Sequence, residues 1–401
     1  DMLEKFARNT VLMENFGTNP KNMIQRHLIP ELGKVANKLD MDTAADSLKK
    51  FGKTVDPAFS LVDPNYRSTD YPNATKISWM TRQITNMATL GGLLFTSSSD
   101  TANVAGRLNL FTLDKGYINN FFGVISPKSK QDKIMLENNL AYLESMVSTI
   151  NSRVDPQNPG VSSKMSRLAH KFFDVTGMNL WNRWMRETFL VGFHKAMGNN
   201  SQYSVKELRE MKGIGDFIAD EINASGITDT EWDLIRLSAR KVDENGEKLI
   251  PTDFKDTYLT RDMVESIDFE VARKALSKDG KNANDIAVQK YIDELTSKYD
   301  GFVKINMDAG VITPGVRQWR WMNMNQIEGS APSILGKLLF QFKSFPLTMH
   351  QEILMPSIRY STKGNYAPMV TLMSTIAMGT GIQMIAMNTR EVLSGRTARH
   401  C

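Results

Sequence analysis

The feature that most constrains this chain is a run near its C-terminus, Gly364 to Thr389, that carries no charged residue over 26 positions. A bilayer core asks for roughly 20 consecutive, mainly apolar residues, so length alone admits a membrane span. Thr371, Ser374, Thr375, Gly379, Thr380, Gly381 and Gln383 dilute the Met, Ile and Leu of the run. A helix buried in a bundle has that composition too. The run is therefore a weak span or a strong buried helix, with Met373, Ile376, Ile382 and Ile385 as the positions expected to face a membrane or a partner helix.

Immediately upstream, Pro332 to Tyr360 follows a helical repeat at Leu335, Leu338, Leu339, Phe342, Phe345 and Met349, with Lys337 and Lys343 to the side of that face. This is the form of an interfacial or partner-binding amphipathic helix. Pro346 is expected to kink it and Pro356 to stop it, because proline removes an amide donor and crowds the preceding turn. Charge is concentrated here. From Ala331 to Cys401 seven basic residues stand against two acidic ones, a balance equal to the +5 of the whole chain, whereas Ser201 to Asp300 holds 15 basic and 22 acidic residues. A basic, apolar end suits anionic lipid or a nucleic-acid backbone, and charge does not choose between them. Arg317, Arg320, Lys337 and Lys343 are the candidate contacts to DNA or lipid phosphate.

The remaining pattern is helical. A second uncharged stretch, Gln83 to Ser99, covers 17 positions around Gly91-Gly92 and reads as a helix hairpin bent at the glycines or a buried helix. Ala88, Gly91, Gly92 and Ala105 would let another backbone approach closely. Helical periodicity also marks residues 1–51, Asp132 to Val154 and Ser162 to about Phe173, with a proline-rich loop around Pro57, Pro64 and Pro72. In Met178 to Met197, Trp181, Trp184, Met185, Thr188 and Phe189 share a stripe while Arg183, Arg186 and Glu187 lie off it; interleaved Trp and Arg can stack bases or sit at a membrane interface, but the expectation is that the Trp side chains are core and the Arg side chains solvated. We expect a mainly α chain, an elongated multi-helix assembly with little or no sheet, in four segments: 1–76, 77–200, an acidic block 201–300, and a basic region 301–401. Met is abundant, at 24 residues, which suits helix faces that repack against changing partners or simply Met in place of Leu in helix cores.

No constellation for catalysis stands out. The single cysteine, Cys401, excludes a disulfide framework within these residues, and the five histidines are scattered without metal-ligand spacing, so neither a metal nor a cofactor site is expected. Leu208 to Ile222 has the glycine and hydrophobic spacing of a helix-hairpin-helix DNA-binding motif. Asp216, Asp220 and Glu221 line the helix that would face phosphate, which argues for a plain helix-turn-helix. The same carboxylates sit at spacings typical of a solvated surface rather than converging as two-metal chemistry requires. The chain opens Asp1-Met2, so a piece of a longer protein is expected.

The run LGKLLFQFKSFPLTMHQEIL, Leu335 to Leu354, with Gly-Lys before Leu-Leu and a Gln-Phe-Lys-Ser-Phe centre, resembles a segment near the C-terminus of the large internal virion proteins of short-tailed bacteriophages, the inner-core or ejection proteins. The order around it is similar: an uncharged, Gly-containing stretch (Thr85 to Gly106), a helix after Thr176-Gly177, a polar block, the QFKS run, then an apolar helical segment. The resemblance implies a non-enzymatic protein of the virion interior that leaves before the DNA. It implies a homo-oligomer that works with other internal virion or portal proteins, forms a conduit through the host periplasm and inner membrane, and meets double-stranded DNA non-specifically. Some members carry a cell-wall lytic domain, and nothing here resembles it. The alternative is a structural capsid-core or portal-associated protein that never enters membrane.

Overall fold

The computed structural model describes residues 70–89, 100–113, 117–126, 174–241, 248–251, 285–314, 316–340 and 344–393, with isolated positions between 57 and 68 and at 132, 136, 171 and 172. The helices expected over 1–51, Asp132 to Val154 and Ser162 to Phe173, and the Gly91-Gly92 bend, lie outside the described residues. In chain order come α1 (Pro72–Thr89), α2 (Asp100–Asn109), α3 (Tyr117–Ile125), α4 (Met178–Asn200), α5 (Val205–Glu210), α6 (Ile214–Ala224) and α7 (Asp229–Leu237). The strands β1 (Arg240–Lys241) and β2 (Lys248–Leu249) follow. Then come α8 (Asp285–Gly310), α9 (Val316–Met322), α10 (Ala331–Leu339), α11 (Ser344–Thr348), a π-helical turn (Met349–Leu354), α12 (Met355–Thr362) and α13 (Ala367–Leu393). Helix accounts for 79% of the described residues, so the chain is mainly α. The strands form one antiparallel pair, Arg240 opposite Leu249 and Lys241 opposite Lys248.

Contacts divide the chain into two compact units. One unit is Asp1–Ser78 with Val316–Phe340; the other is Trp79–Gly315 with Gln341–Cys401. The first is held by a buried polar knot. Lys337 Nζ lies 2.6 Å from Glu328 Oε1, with the two side chains 6% and 2% exposed. Arg67 Nε stands 3.8 Å from Glu328 Oε2, and the Ser68 amide donates to the Glu328 carbonyl at 2.8 Å. The Glu328 amide in turn donates to Ser60 Oγ at 2.9 Å.

The second unit is built on aromatic packing. Phe111, Phe189, Phe193, Phe217, Phe302 and Tyr299 are all fully buried. Their rings meet mostly edge to face, with Phe111 to Phe193 at 4.9 Å and Phe193 to Phe302 at 5.3 Å, the geometry their quadrupoles favour. Helix starts are locally encoded. Ser204 with Glu207 and Thr228 with Glu231 form capping boxes that satisfy the first amides of α5 and α7. Glu231 also meets Lys298 of α8 at 2.6 Å. Burial alone would raise the Glu231 pKa, but the bonds to Lys298 and Thr228 outweigh it and the net direction is down.

α4 departs from expectation at Arg186 and at the two tryptophans. Arg183 is exposed and pairs with Glu187 one turn on, as expected. Arg186 is buried at 1% exposure, its Nη2 donating to Thr313 Oγ1 at 3.1 Å and its Nη1 lying 3.6 Å from Asp308 Oδ1. Trp181 and Trp184 are only half-buried and pack on each other at 5.2 Å. A guanidinium enters a core when a carboxylate and a hydroxyl meet it there, and both come from beyond residue 300.

His194 is fully buried beside Tyr299, whose hydroxyl lies 3.3 Å from Nδ1, and burial lowers its pKa to about 4. The folded state therefore resists a proton that the unfolded chain takes up near pH 6.5. Stability on this account is full above pH 6.5 and falls progressively as pH drops towards 4, by about 3 kcal/mol in total. Thermal melts of the chain and of His194→Phe across pH 7 to 4 check this: the acid-induced fall in Tm is expected to be clearly shallower in the variant.

Candidate functional site: an apolar helix held at one end

Asn365 starts α13. Its Oδ1 accepts from the Ala367 amide at 3.2 Å while its Nδ2 donates to the Gly213 carbonyl at 2.8 Å. Gly213 is the turn residue between α5 and α6, with φ 59° and ψ −117°, a backbone open to glycine and strained for any L side chain. The glycine hairpin expected from Leu208 to Ile222 is thus a real helix-turn-helix, and one of its turn carbonyls is taken by the helix that follows 152 residues later. Across the hairpin Arg209 pairs with Asp220 at 2.9 Å, while Glu221 is held by Arg107 at 2.7 Å.

One face of α13 packs on α2. Asn109 Nδ2 donates to Thr371 Oγ1 at 3.0 Å, and both residues are buried. Leu372 is buried beside them. At Gly106 the Thr375 side chain packs so closely that a Cβ there would lie 2.1 Å from Thr375 Oγ1. Thr375 donates to the Thr371 carbonyl at 2.8 Å. Nearby, the Tyr117 hydroxyl donates to the Ala102 carbonyl at 3.0 Å, and burial raises its pKa. Ala105, beside it, is fully buried. The docked face also borders a shallow, solvent-open cleft lined by Arg107, Phe217, Glu352, Pro356 and Thr371 among others.

The docking stops midway. Pro368, Thr371, Leu372, Thr375 and Gly379 are buried, but no residue from Thr380 to Val392 is. Of the positions expected to face a membrane or partner, Met373, Ile376 and Ile385 are exposed and Ile382 is half-buried. The hydroxyls of the uncovered half bond inward along the helix: Thr380 donates to the Ile376 carbonyl and Thr389 to the Ile385 carbonyl, each at 2.8 Å. The outer surface thus presents methyls and thioethers with no unsatisfied hydroxyl. Ala367–Val392 is long and apolar enough to cross a bilayer: its most apolar 18-residue window has a mean hydropathy of 1.4, and 17% of that window is buried.

The upstream segment is not the single helix expected. α10 ends at Leu339 in the first unit, while α11, the π turn and α12 run together from Ser344 to Thr362 in the second. Pro346 falls in the first turn of α11, where its missing amide is harmless. Pro356 does not stop the run, because the π turn ahead of it has already shifted the hydrogen-bond register and the ring enters at the start of α12. Leu335, Leu338 and Leu339 are exposed on α10, and Met349 is half-buried. Phe342 and Lys343 lie outside the described residues, as does the side chain of Phe345.

The four candidate phosphate contacts separate. Arg317 is exposed, and Arg320 is half-buried and donates to Asn325 Oδ1 at 3.0 Å. Trp319 beside them is buried, so Trp319-Arg320-Trp321 is not an open stacking platform. Lys337 is corrected outright: its ammonium is committed to Glu328 inside the first unit and is not offered to phosphate. Among the described residues no three His, Cys, Asp or Glu side chains converge as a metal would need. Compared with family models, curated proteins and solved structures, the chain matches none.

Two outcomes are expected. Gly106→Ala lowers stability by about 1–3 kcal/mol through overpacking, and adding Thr375→Ala relieves most of that loss in a double-mutant cycle read by urea melts. Lys337→Met costs about 3–5 kcal/mol by leaving Glu328 with only its longer contact to Arg67, and a combined Arg67→Met, Glu328→Leu, Lys337→Met chain regains most of it.

Proposed function

We propose that this chain is a non-enzymatic internal virion protein of the ejection type. In this reading it oligomerises, brings amphipathic and uncharged helices to the host inner membrane, and helps pass phage DNA across the periplasm. The observation that carries the membrane step is α13: a helix of spanning length whose apolar surface is largely uncovered, where a soluble core helix of that composition would be mostly buried. Support also comes from the resemblance of Leu335 to Leu354 to the phage proteins and from the +5 balance of the last 71 residues, which favours an anionic surface. Exposed cations such as Arg317 and Arg359 would meet phosphate loosely, as a conduit requires.

One observation favours the second reading, a capsid-core or portal-associated protein that stays out of lipid. The first half of α13 is docked by Asn109, Gly106 and Asn365, as a helix in a permanent scaffold would be. Imaging particles before and after genome release separates the two, since retention of this chain in emptied particles supports the scaffold.

The membrane step predicts that the purified chain binds and permeabilises anionic liposomes at low salt, with binding weakening as salt rises. Protease protection of Gly364 to Thr389 is expected with liposomes and not without them. A chain that neither binds nor permeabilises them overturns the reading.

A further inference from the structure

The docking of α13 and its apolar length are in conflict. From Thr380 to Thr389, where no residue is buried and none is charged, the helix has ten residues. At a rise of about 1.5 Å each they cover ~15 Å, half of the ~30 Å hydrocarbon core of a bilayer. The uncharged helix from Ala367 to Thr389 covers ~35 Å and is long enough, but only by using the turns that α2 holds. Entering lipid while docked would carry in α2, and with it the charged pair of Arg107 and Glu221, which hydrocarbon disfavours strongly. The contact and the span exclude each other.

The contact is built to part. Among the described residues of α13, Leu372 is the one large aliphatic side chain that is buried. The rest of the docked face is polar or small, with Asn109 on Thr371 and Gly106 against Thr375. Ser357 of α12 stands 3.4 Å from the Pro368 carbonyl, but it has a closer acceptor in the Ile353 carbonyl at 2.8 Å. A hinge lies beside the contact. α12 ends in a closed cap, in which the Gly364 amide donates to the Ser361 carbonyl at 3.0 Å and the Asn365 amide to the Tyr360 carbonyl at 2.9 Å. Neither bond involves α13. Gly364 is exposed at φ 85°, and a Cβ there would meet nothing within 4 Å, so the chain can turn at this point without striking a neighbour.

We infer that the contact between α2 and α13 is an autoinhibitory latch. α13 stays folded against α2 until it swings out about Gly364 to Tyr366, and the freed helix is the form that crosses lipid. The inference rests on the membrane step of the proposed function and adds the event that gates it. It is tested with and without lipid so that the two stand or fall separately.

All variants are full-length chains in a Cys401→Ser background. In lipid-free buffer Thr375→Cys, on the docked face, and Val303→Cys, fully buried on α8, are each labelled with a maleimide. Local lifting of α13 is expected to label position 375 about tenfold faster than position 303, and Asn109→Ala to raise the rate at 375 about threefold further while leaving 303 unchanged. Equal rates at the two positions, or an Asn109→Ala effect shared by both, show that α13 leaves only when the whole unit opens and overturn the latch. A bridge then closes the latch on purpose. A Cβ at Gly106 would stand 3.3 Å from the Thr375 Cβ, a few tenths short of the ~3.5–4.5 Å of disulfides, so Gly106→Cys with Thr375→Cys is one pair. Asn109→Cys with Thr371→Cys, whose native side chains meet at 3.0 Å, is the second, should the first strain the fold. The oxidised chain is expected to bind dye-loaded vesicles of phosphatidylglycerol and phosphatidylethanolamine yet to release dye about tenfold more slowly than the same chain reduced. Equal release by the oxidised and reduced forms overturns the latch alone. Fast labelling at 375 by a chain that releases no dye in either form overturns the membrane step and leaves the hinged release standing.

Discussion

The Arg107 guanidinium is the interaction on which the second unit depends. It bonds Glu221 of α6 at 2.7 Å and Asn306 of α8 at 2.5 Å, and it lies 5.4 Å from the ring centres of both Phe111 and Phe217. One cation thus ties three helices that are far apart in sequence, and the rings that exclude water from it belong to the core it completes. Glu221, which the sequence offered as a charge repelling phosphate, is spent as its partner. Removing either side would leave a charge without its mate among apolar side chains, where the penalty is largest. Because α2 carries Arg107 one residue after Gly106 and two before Asn109, fixing the guanidinium also fixes the strip on which α13 docks.

α13 inverts the usual arrangement of a surface helix. Its hydroxyls at Thr371 and Thr375 lie on the docked face, where Asn109 meets the first, while Met373, Ile376, Met384 and Ile385 point outward. The residues that dilute the uncharged run are divided between the faces: Thr371, Thr375 and Gly379 are buried, whereas Thr380 and Thr389 are exposed. A composition summed along the sequence mixes the two faces.

The helices themselves were legible because a 3.6-residue period and local caps need only neighbouring residues: α4, the glycine hairpin and α13 all follow from spacing. Positions decided by distant partners were not. Arg186 resembles Arg183 in sequence and differs only because Asp308 and Thr313 reach it. Lys337 looks like a lateral charge on an amphipathic helix until Glu328, nine residues back, folds under it. Asn109 finds its partner 262 residues away, and the one local sign of that contact was the small Ala105 beside Gly106. The division into units was hidden for the same reason, since residues 316–340 join the N-terminal segment across more than two hundred intervening positions. The π turn escaped because a proline reads as a stop unless the register has already slipped ahead of it.

The half-docked state of α13 solves a problem of helix stability. A free segment of 13 residues, Thr380 to Val392, sits near the lower limit at which an isolated helix persists in water, because nucleation is costly and short helices fray. Joined to a docked half, it needs no nucleation of its own and propagates from a turn that Asn109 and Asn365 already hold. Release of the docked half would be cheap for the same residues. Thr375 already bonds a carbonyl of its own helix, and the Thr371 hydroxyl can turn to the Ala367 carbonyl four residues back once Asn109 leaves. An apolar medium would then find the threonine hydroxyls of the helix satisfied internally, as it requires of the polar groups that enter it.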